Sequence, residues 1–136
     1  MAITPDQLCS DMLALFKRFK SVMADIAETH GLTPIQLGAL HAINEHSATM
    51  GRLAQTLHCD ASNVTGIIDR LTSLELVTRQ EDPKDRRVKT LQLTSRGNAV
   101  LQEVIAQLPA RLGCDRLTST ERDGLHHMFD KLAREA

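Results

Sequence analysis

Residues 60–97 read DASNVTGIIDRLTSLELVTRQEDPKDRRVKTLQLTSRG, and the period of their apolar residues changes after Leu74. In the first half, the apolar residues recur at spacings of three and four: Val64, Ile67, Ile68, Leu71 and Leu74. This spacing is typical of an amphipathic helix, and aspartate is a favoured residue at the N-cap position, which Asp60 would occupy. We therefore predict a helix from about Ala61 to Ser73.

The second half has the pattern of a β-hairpin. Residues 77–80 and 88–93 form short runs that are β-branched or alternate in polarity, as strands do. Between them lies EDPKDRR at 81–87, a charged segment that contains a proline and so favours a turn. We predict two antiparallel strands joined by this turn.

Three helices are predicted before Asp60. The first runs from about Thr4 to the glycine at position 31, with one apolar stripe: Leu8, Met12, Leu15, Phe16, Phe19, Val22, Met23 and Ile26. The second starts at a capping box formed by Thr33 and Gln36 and continues to about His46. The third is short, is capped by Thr49, and is followed by a tight turn at His58 and Cys59.

Two helices are predicted after the hairpin. One starts at Thr94 or Ser95 and carries Val100, Leu101, Val104, Ile105 and Leu108. Pro109 is expected to kink or end it, because proline lacks the amide hydrogen that an interior helical position needs. The last helix starts at the capping box of Thr118 and Glu121 and carries Leu125, Met128, Phe129 and Leu132.

Composition limits the class of protein. The chain has 136 residues, of which 42% are hydrophobic, and it contains no repeat or low-complexity tract, so we predict one domain over 1–136. We find neither an N-terminal leader pattern nor an apolar run of about 18 residues, so we expect a soluble cytoplasmic protein without a membrane partner. Cysteines stand only at 9, 59 and 114, which does not favour a disulfide framework.

The order of elements predicts a mainly α fold with a small β-hairpin wing, a winged helix-turn-helix. In such a fold the second helix of the pair, here about 61–73, lies in the major groove of duplex DNA. Its polar side offers Ser62, Asn63, Thr65, Gly66, Asp69 and Arg70. The alternative is an ordinary solvated helix face.

The hairpin strengthens the DNA interpretation. Between positions 78 and 96 there are six basic and three acidic residues, a local excess of +3 on a chain whose net charge is −1. An arginine at a narrow hairpin tip can enter a minor groove, and neighbouring cations can hold phosphates. The alternative is again a solvated charged surface.

Several of these segments resemble the MarR family of winged helix-turn-helix regulators. The wing segment DPKDRR at 82–87, followed by LQLTSRG at 91–97, is similar to the family's wing signature, an Asp-x-Arg pair before a Leu-Thr-x-x-Gly helix start. LTPIQ at 32–36, Leu53-Ala54 and VTGIIDRL at 64–71 are also similar to the family at matching spacings. The resemblance covers nearly the whole chain.

The resemblance implies roles for particular residues. Asp85 matches the acid that orients the wing arginine, Arg87 matches the arginine that probes the minor groove, and Thr94 and Gly97 match the start of the next helix. Together with the helix face, the expected contacts with double-stranded DNA are Ser62, Asn63, Thr65, Gly66, Arg70, Lys84, Asp85, Arg86 and Arg87. The sequence departs from the family at His58-Cys59, where Gly or Asn before an aliphatic residue is commoner, and at Pro109.

The resemblance also implies a homodimeric repressor that reads a pseudo-palindromic operator and responds to a small aromatic or phenolic effector. The winged region would span 32–94, with dimerisation helices at 4–30 and 95–136. The effector pocket is expected where the first helix, the second helix and the start of the fifth meet the winged region, with Met12, Phe16, His41 and Ile43 as lining residues. Apolar stripes too large for a small winged domain to bury also favour self-association.

Other functions find less support in the sequence. Cys9 resembles in position the reactive cysteine of peroxide-sensing members, which pair that thiol with tyrosines, yet this chain has no tyrosine. The six histidines form no tight ligand pair, so neither a metal nor another cofactor is expected. No nucleophile motif or phosphate loop points to an enzyme. Thiol oxidation of the same fold and a helical interaction module that does not bind DNA remain the alternatives.

Overall fold

The computed structural model describes residues 1–46 and 49–134. Its helices are α1 (Pro5–Thr29), α2 (Pro34–Glu45), α3 (Met50–Leu57), α4 (Ala61–Ser73), α5 (Ser95–Leu112) and α6 (Ser119–Ala133). Strands β1 (Val77–Glu81) and β2 (Lys89–Leu93) lie between α4 and α5. The predicted class, mainly α with one β-hairpin wing, is confirmed.

The helices begin where their capping side chains are. Capping boxes form at the two predicted pairs, Thr33 with Gln36 and Thr118 with Glu121, and also at Thr4 with Gln7. Thr49 and Asp60 cap α3 and α4 by accepting hydrogen bonds from backbone amides three residues on. Each cap satisfies an amide that has no partner inside its helix, so these residues determine the register of each helix start.

Two helix ends use left-handed backbone. Gly31 has φ of 69°, as the predicted glycine cap of α1 requires. His58, the C-cap of α3, has φ of 53° and ψ of 42°, a conformation that costs a side-chain-bearing residue more than glycine or asparagine. The turn at His58-Cys59 therefore has a left-handed backbone that Gly or Asn would adopt at a lower energetic cost.

The core lies mostly in the winged region, with Ile26 of α1 and Leu101 of α5 added to it. α2 packs against α1, α3, α4 and β2, α4 against α3 and β1, and α3 against β2. The largest fully buried side chains in residues 1–103 are Ile26, Leu40, Leu53, Ile68, Leu71, Leu101, Val64 and Val77. Burying one such side chain contributes about 1.5–3 kcal/mol, so these contacts hold α4 and the hairpin in place.

The hairpin register places Val77, Arg79 and Glu81 on one face of β1, of which Val77 is buried and the other two are exposed. Val77 pairs with Leu93, Arg79 with Leu91, and Glu81 with Lys89. Beyond the two strands, Thr49 forms an isolated antiparallel bridge with Thr90. Thr49 therefore both caps α3 and pairs with β2.

The first turn of α5 is joined to the segment before β1. The Leu76 carbonyl accepts the Thr94 amide at 3.0 Å, and the Thr94 hydroxyl donates to the Glu75 carbonyl at 2.6 Å. The same hydroxyl accepts the Gly97 amide at 2.9 Å, which makes Thr94 the residue that caps α5. A Cβ at Gly97 would overlap the Leu76 carbonyl, so only glycine fits this close approach.

The C-terminal part differs from the prediction in two respects. α5 continues past Pro109 to Leu112, so the helix does not end at Pro109, and the alternative expectation of a kink there stays a prediction. A short 3₁₀ turn at Cys114–Arg116, which the sequence analysis did not anticipate, follows before α6.

The chain forms two compact units, one up to Glu103 and one starting at Val104, with the boundary inside α5. The prediction of one domain over 1–136 stays a prediction, and Glu135 and Ala136 lie outside the described residues. Ser47 and Ala48, inside the predicted winged region, do so as well. None of the helices in the described ranges combines the length and apolar content needed to cross a bilayer.

Candidate nucleic-acid interface

The outer face of α4 carries the helix residues that the sequence analysis singled out. Val64, Ile67, Ile68 and Leu71 are buried, and the opposite side of the helix is exposed. All five predicted contacts on this helix are exposed: Ser62, Asn63, Thr65, Gly66 and Arg70. The winged core thus presents these groups to the exterior.

These side chains differ in how far they are already engaged. The Ser62 hydroxyl donates to the Asp60 carboxylate at 2.9 Å, and the Thr65 hydroxyl donates to the Ala61 carbonyl at 3.0 Å. Both hydroxyls keep acceptor capacity for an external donor. Within residues 1–46 and 49–134, the side chains of Asn63 and Arg70 make no hydrogen bond or ion pair. Their donors are therefore available to a ligand.

Asp60 holds the first turn of α4. Its carboxylate accepts the Asn63 amide at 2.9 Å in addition to the Ser62 hydroxyl. These bonds, the Asn63 amide first, lower the pKa of Asp60 because they stabilise its charged form. The carboxylate therefore stays ionised, and it fixes the two residues at the exposed start of the helix.

The wing tip is ordered by two aspartates. The Asp82 carboxylate accepts the Lys84 amide at 2.8 Å. The Asp85 carboxylate accepts the Arg87 amide at 3.0 Å and Nε at 3.2 Å through Oδ1, and Nη2 at 3.4 Å through Oδ2. The Arg87 side chain is nonetheless 92% exposed. Asp85 thus orients the guanidinium without covering it.

The Arg87 contact also acts on the carboxyl group. The Arg87 side chain first, and its backbone amide second, lower the pKa of Asp85. At neutral pH this carboxylate is charged and able to orient the arginine. The geometry agrees with the orienting role that the family resemblance implies for Asp85.

The remaining hairpin charges divide into paired and unpaired groups. Arg79 pairs with Asp69 at 2.6 Å, Lys89 with Glu81 at 3.0 Å, and Arg96 with Glu75 at 3.9 Å. Lys84 and Arg86 are exposed, and their side chains form no ion pair with any residue that the structure describes. On the hairpin, the positive charge left for a polyanion is therefore concentrated at the wing tip.

A cavity of about 470 Å³ lies between the start of α3 and the wing. It is lined by Thr49, Met50, Gly51, Arg87, Val88 and Lys89. This juxtaposition is not predictable from the sequence, because the Thr49–Thr90 bridge that creates it is a tertiary contact without a local sequence signal.

The predicted effector residues are spread over two environments. Ile43 is buried in the core of the winged region, whereas Met12, Phe16 and His41 are exposed. A second cavity, of about 510 Å³, lies at the start of α5 and is lined by other residues: Thr72, Glu75, Val77, Thr78, Thr94, Ser95 and Arg96. The four-residue effector pocket stays a prediction.

The cysteines and histidines form no composite site in the described chain. Cys9 and Cys114 are exposed and Cys59 is half-buried, all as free thiols. Over residues 1–46 and 49–134, no group of three or more His, Cys, Asp or Glu side chains is placed to hold a metal ion.

Each unit also exposes apolar side chains. In α1 they are Leu8, Met12, Leu13, Leu15 and Phe16, and in α6 they are Leu125, Met128, Phe129 and Leu132. Phe16 is 59% and Phe129 55% exposed, so more than half of each residue is left uncovered by its own chain. Exposed apolar residues at this density mark surfaces that another molecule covers.

The chain is similar in sequence to proteins of known family. A sequence profile of the MarR family matches residues 30–88. The HTH-type transcriptional repressor MdtR of Bacillus subtilis (strain 168) is 35% identical, and the match covers 96% of this chain and 89% of that protein.

Two solved structures have folds similar to that of this chain. The YusO protein of Bacillus subtilis is 33% identical, with a TM-score of 0.73 over 98% of this chain and 100% of that one. A mutant MarR of E. coli complexed with operator DNA is 22% identical, with a TM-score of 0.72 over 93% of this chain and 94% of that one. The order of elements, the Asp85–Arg87 wing and the 35% identity to a repressor lead to one conclusion: the chain belongs to the MarR family of transcriptional regulators.

Proposed function

We propose that this regulator is a homodimeric repressor that binds double-stranded DNA through α4 and the wing. The observation that carries the proposal is the wing tip, where Arg87 is oriented by Asp85 yet 92% exposed, beside the unpaired Lys84 and Arg86. A guanidinium held this way has already lost much of the freedom that binding would otherwise have to remove, so it is prepared for a minor groove.

The proposed division of labour follows the available donors. Asn63 and Arg70 on α4 would contact base edges or phosphates in the major groove, and Ser62 and Thr65 would accept or donate at the helix start. Gly66 has no heavy atom within 4 Å of the place its Cβ would take, so DNA can approach the helix backbone there. The repressor mode rests on MdtR, which is named a transcriptional repressor.

The dimer is proposed from the uncovered apolar side chains. Those of α1 and those of α6 each need a partner, and a second copy of the chain is the commonest one. A two-fold dimer would read half-sites about 10 base pairs apart, hence a pseudo-palindrome. The proposed site of action is the cytoplasm, where such an operator would be found.

An effector is proposed to act on the distance between the two copies of α4. A small aromatic or phenolic compound releases DNA only if it binds one dimer shape better, and a tenfold release needs about 1.4 kcal/mol of coupling. DNA must then weaken effector binding by the same factor. Equal affinities of the compound for free and DNA-bound protein would contradict this mechanism.

Oxidation of a thiol is the second candidate input, because Cys9 and Cys114 are exposed. Changing each cysteine to serine and measuring DNA release by peroxide tests it. Release that is unchanged in both variants would exclude these two thiols.

The proposed function is tested by fluorescence polarisation with labelled random-sequence duplex at low and moderate salt. We expect binding that weakens steeply as salt rises, because phosphate contacts release counterions. Absence of binding at low salt would instead indicate an interaction module that does not bind DNA.

A further inference from the structure

One ion pair connects the outer face of α4 with the wing. Arg79 on β1 donates through Nη2 to Asp69 Oδ1 on α4 at 2.6 Å. The Arg79 side chain is 35% exposed and that of Asp69 56% exposed. Asp69 lies about one turn beyond Gly66, on the side of the helix that the proposed function places against DNA.

The strand geometry gives this contact its direction. Side chains alternate along β1, so Arg79 lies on the same side of the hairpin as the buried Val77, and it pairs in register with the buried Leu91. Because α4 packs against β1, the guanidinium reaches across the edge of the core to the helix. The side chain of Arg79 therefore spans two elements that would bind different grooves.

The other ion pairs near the wing do not join these elements. Glu81 and Lys89 pair across the hairpin, and Asp85 and Arg87 pair within its tip. Among ion pairs of the described residues, Asp69–Arg79 alone connects α4 to the hairpin. Changing it should alter the position of the wing rather than its internal structure.

We propose that the Asp69–Arg79 pair is a positioning contact that fixes the wing relative to α4. The tip lies about 15 Å beyond Arg79 at about 3.3 Å per residue, so a rotation of about 10° at this point moves the tip by about 2.5 Å. That displacement approaches the length of a hydrogen bond, so it takes the wing arginine out of register with its preferred base pairs while its charge stays near the phosphates and α4 stays in place. The proposal rests on the proposed function, DNA binding by α4 and the wing.

The sign of the effect separates positioning from simple electrostatics. Asp69 contributes a negative charge close to the proposed DNA surface, so removing that charge alone should strengthen binding. A positioning contact predicts the opposite result, weaker binding to the preferred sequence. Exposed ion pairs add little to folding stability, so Asp69→Asn should remain folded.

The test uses two duplexes of equal length: one enriched from a random library by the wild-type protein, and one of random sequence. We expect Asp69→Asn to bind the enriched duplex at least about fivefold more weakly, the cost of about one mismatched base pair, and random duplex within about twofold of wild type. Asp69→Glu, which keeps a carboxylate, should recover most of the lost affinity. Arg79→Gln should reproduce Asp69→Asn with an unchanged salt slope.

Glu81→Gln is the matched control. It removes one negative charge and one ion pair on the hairpin, but leaves the contact with α4, so it should not weaken binding. If Asp69→Asn and Glu81→Gln behave alike, or if Asp69→Asn weakens binding to both duplexes equally, the positioning role is wrong. A shallower salt slope for Arg79→Gln would make Arg79 a phosphate contact instead.

The failure of the proposed function would look different. Wild-type protein that enriches no duplex and does not bind random duplex at low salt contradicts DNA binding itself, whereas wild-type enrichment with unaffected Asp69→Asn and Arg79→Gln contradicts only the positioning role. Should Asp69→Asn fail to fold, its role is not merely positional, and the proposal is overturned by that result.

Discussion

Gly97→Ala should destabilise the protein, although alanine is ordinarily the better helix former. Gly97 lies in the first turn of α5, where an added Cβ would overlap the Leu76 carbonyl oxygen. That carbonyl accepts the Thr94 amide at 3.0 Å, and Thr94 in turn bonds the Glu75 carbonyl and the Gly97 amide. The added methyl group therefore meets backbone that cannot rotate away.

The magnitude follows from two opposing terms. Overpacking of this kind costs about 1–3 kcal/mol, and the upper half of that range applies because the obstacle is backbone. The gain from replacing a helical glycine is about 0.5–1 kcal/mol. We therefore expect a net loss of about 1–2.5 kcal/mol.

Gly66→Ala is the matched control, since it makes the same change inside α4 with no heavy atom within 4 Å of the new Cβ. It should stabilise the protein by about 0.5–1 kcal/mol. Urea denaturation followed by far-UV circular dichroism, at one fixed protein concentration, measures the free energy of unfolding of both variants. If Gly97→Ala is as stable as Gly66→Ala, the close approach of α5 to Leu76 is refuted.

Three further predictions concern single surfaces. Asn63→Ala should lose about 1–3 kcal/mol of discrimination between enriched and random duplex in polarisation titrations, and equal losses on both would make Asn63 a phosphate contact. The Thr118 amide, and then its hydroxyl, lower the pKa of Glu121, so its stabilising effect is present above its usual 4.5 and is lost as pH falls through the lowered value. Urea midpoints between pH 7 and pH 3 should therefore fall further for wild type than for Glu121→Gln, and parallel curves would contradict the cap. Sedimentation equilibrium at micromolar concentration should give a dimer for wild type and a shift toward monomer for Phe129→Ser, whereas a well-folded wild-type monomer of 15.0 kDa would contradict the dimer.

Local sequence signals predicted most of the fold. The capping threonines and Asp60 determine helix starts through contacts only three residues long, so their pattern is visible without tertiary information. The helix after Thr94 was harder, because Pro109 is a local signal for interruption and α5 continues through it to Leu112. Neighbouring contacts can outweigh the local preference of one residue.

The candidate site was predictable only in part. The Asp85–Arg87 pair is two residues apart and belongs to a recognisable signature, so the sequence indicated it. The Asp69–Arg79 pair and the Thr49–Thr90 bridge join different elements, and no local spacing encodes them. Exposure of the α1 and α6 apolar side chains likewise depends on how much core the winged region can supply.

Contact between the exposed wing arginine and DNA is tested by the salt dependence of binding by Arg87→Ala. Arg18→Ala is the charge-matched control, because Arg18 is exposed on α1, outside the proposed DNA-binding interface. We expect Arg87→Ala to keep the fold, to bind duplex much more weakly, and to show a log–log salt slope shallower by about one unit per contacting subunit. Arg18→Ala should match wild type. If Arg87→Ala and Arg18→Ala have equal affinities and equal salt slopes, Arg87 does not contact DNA.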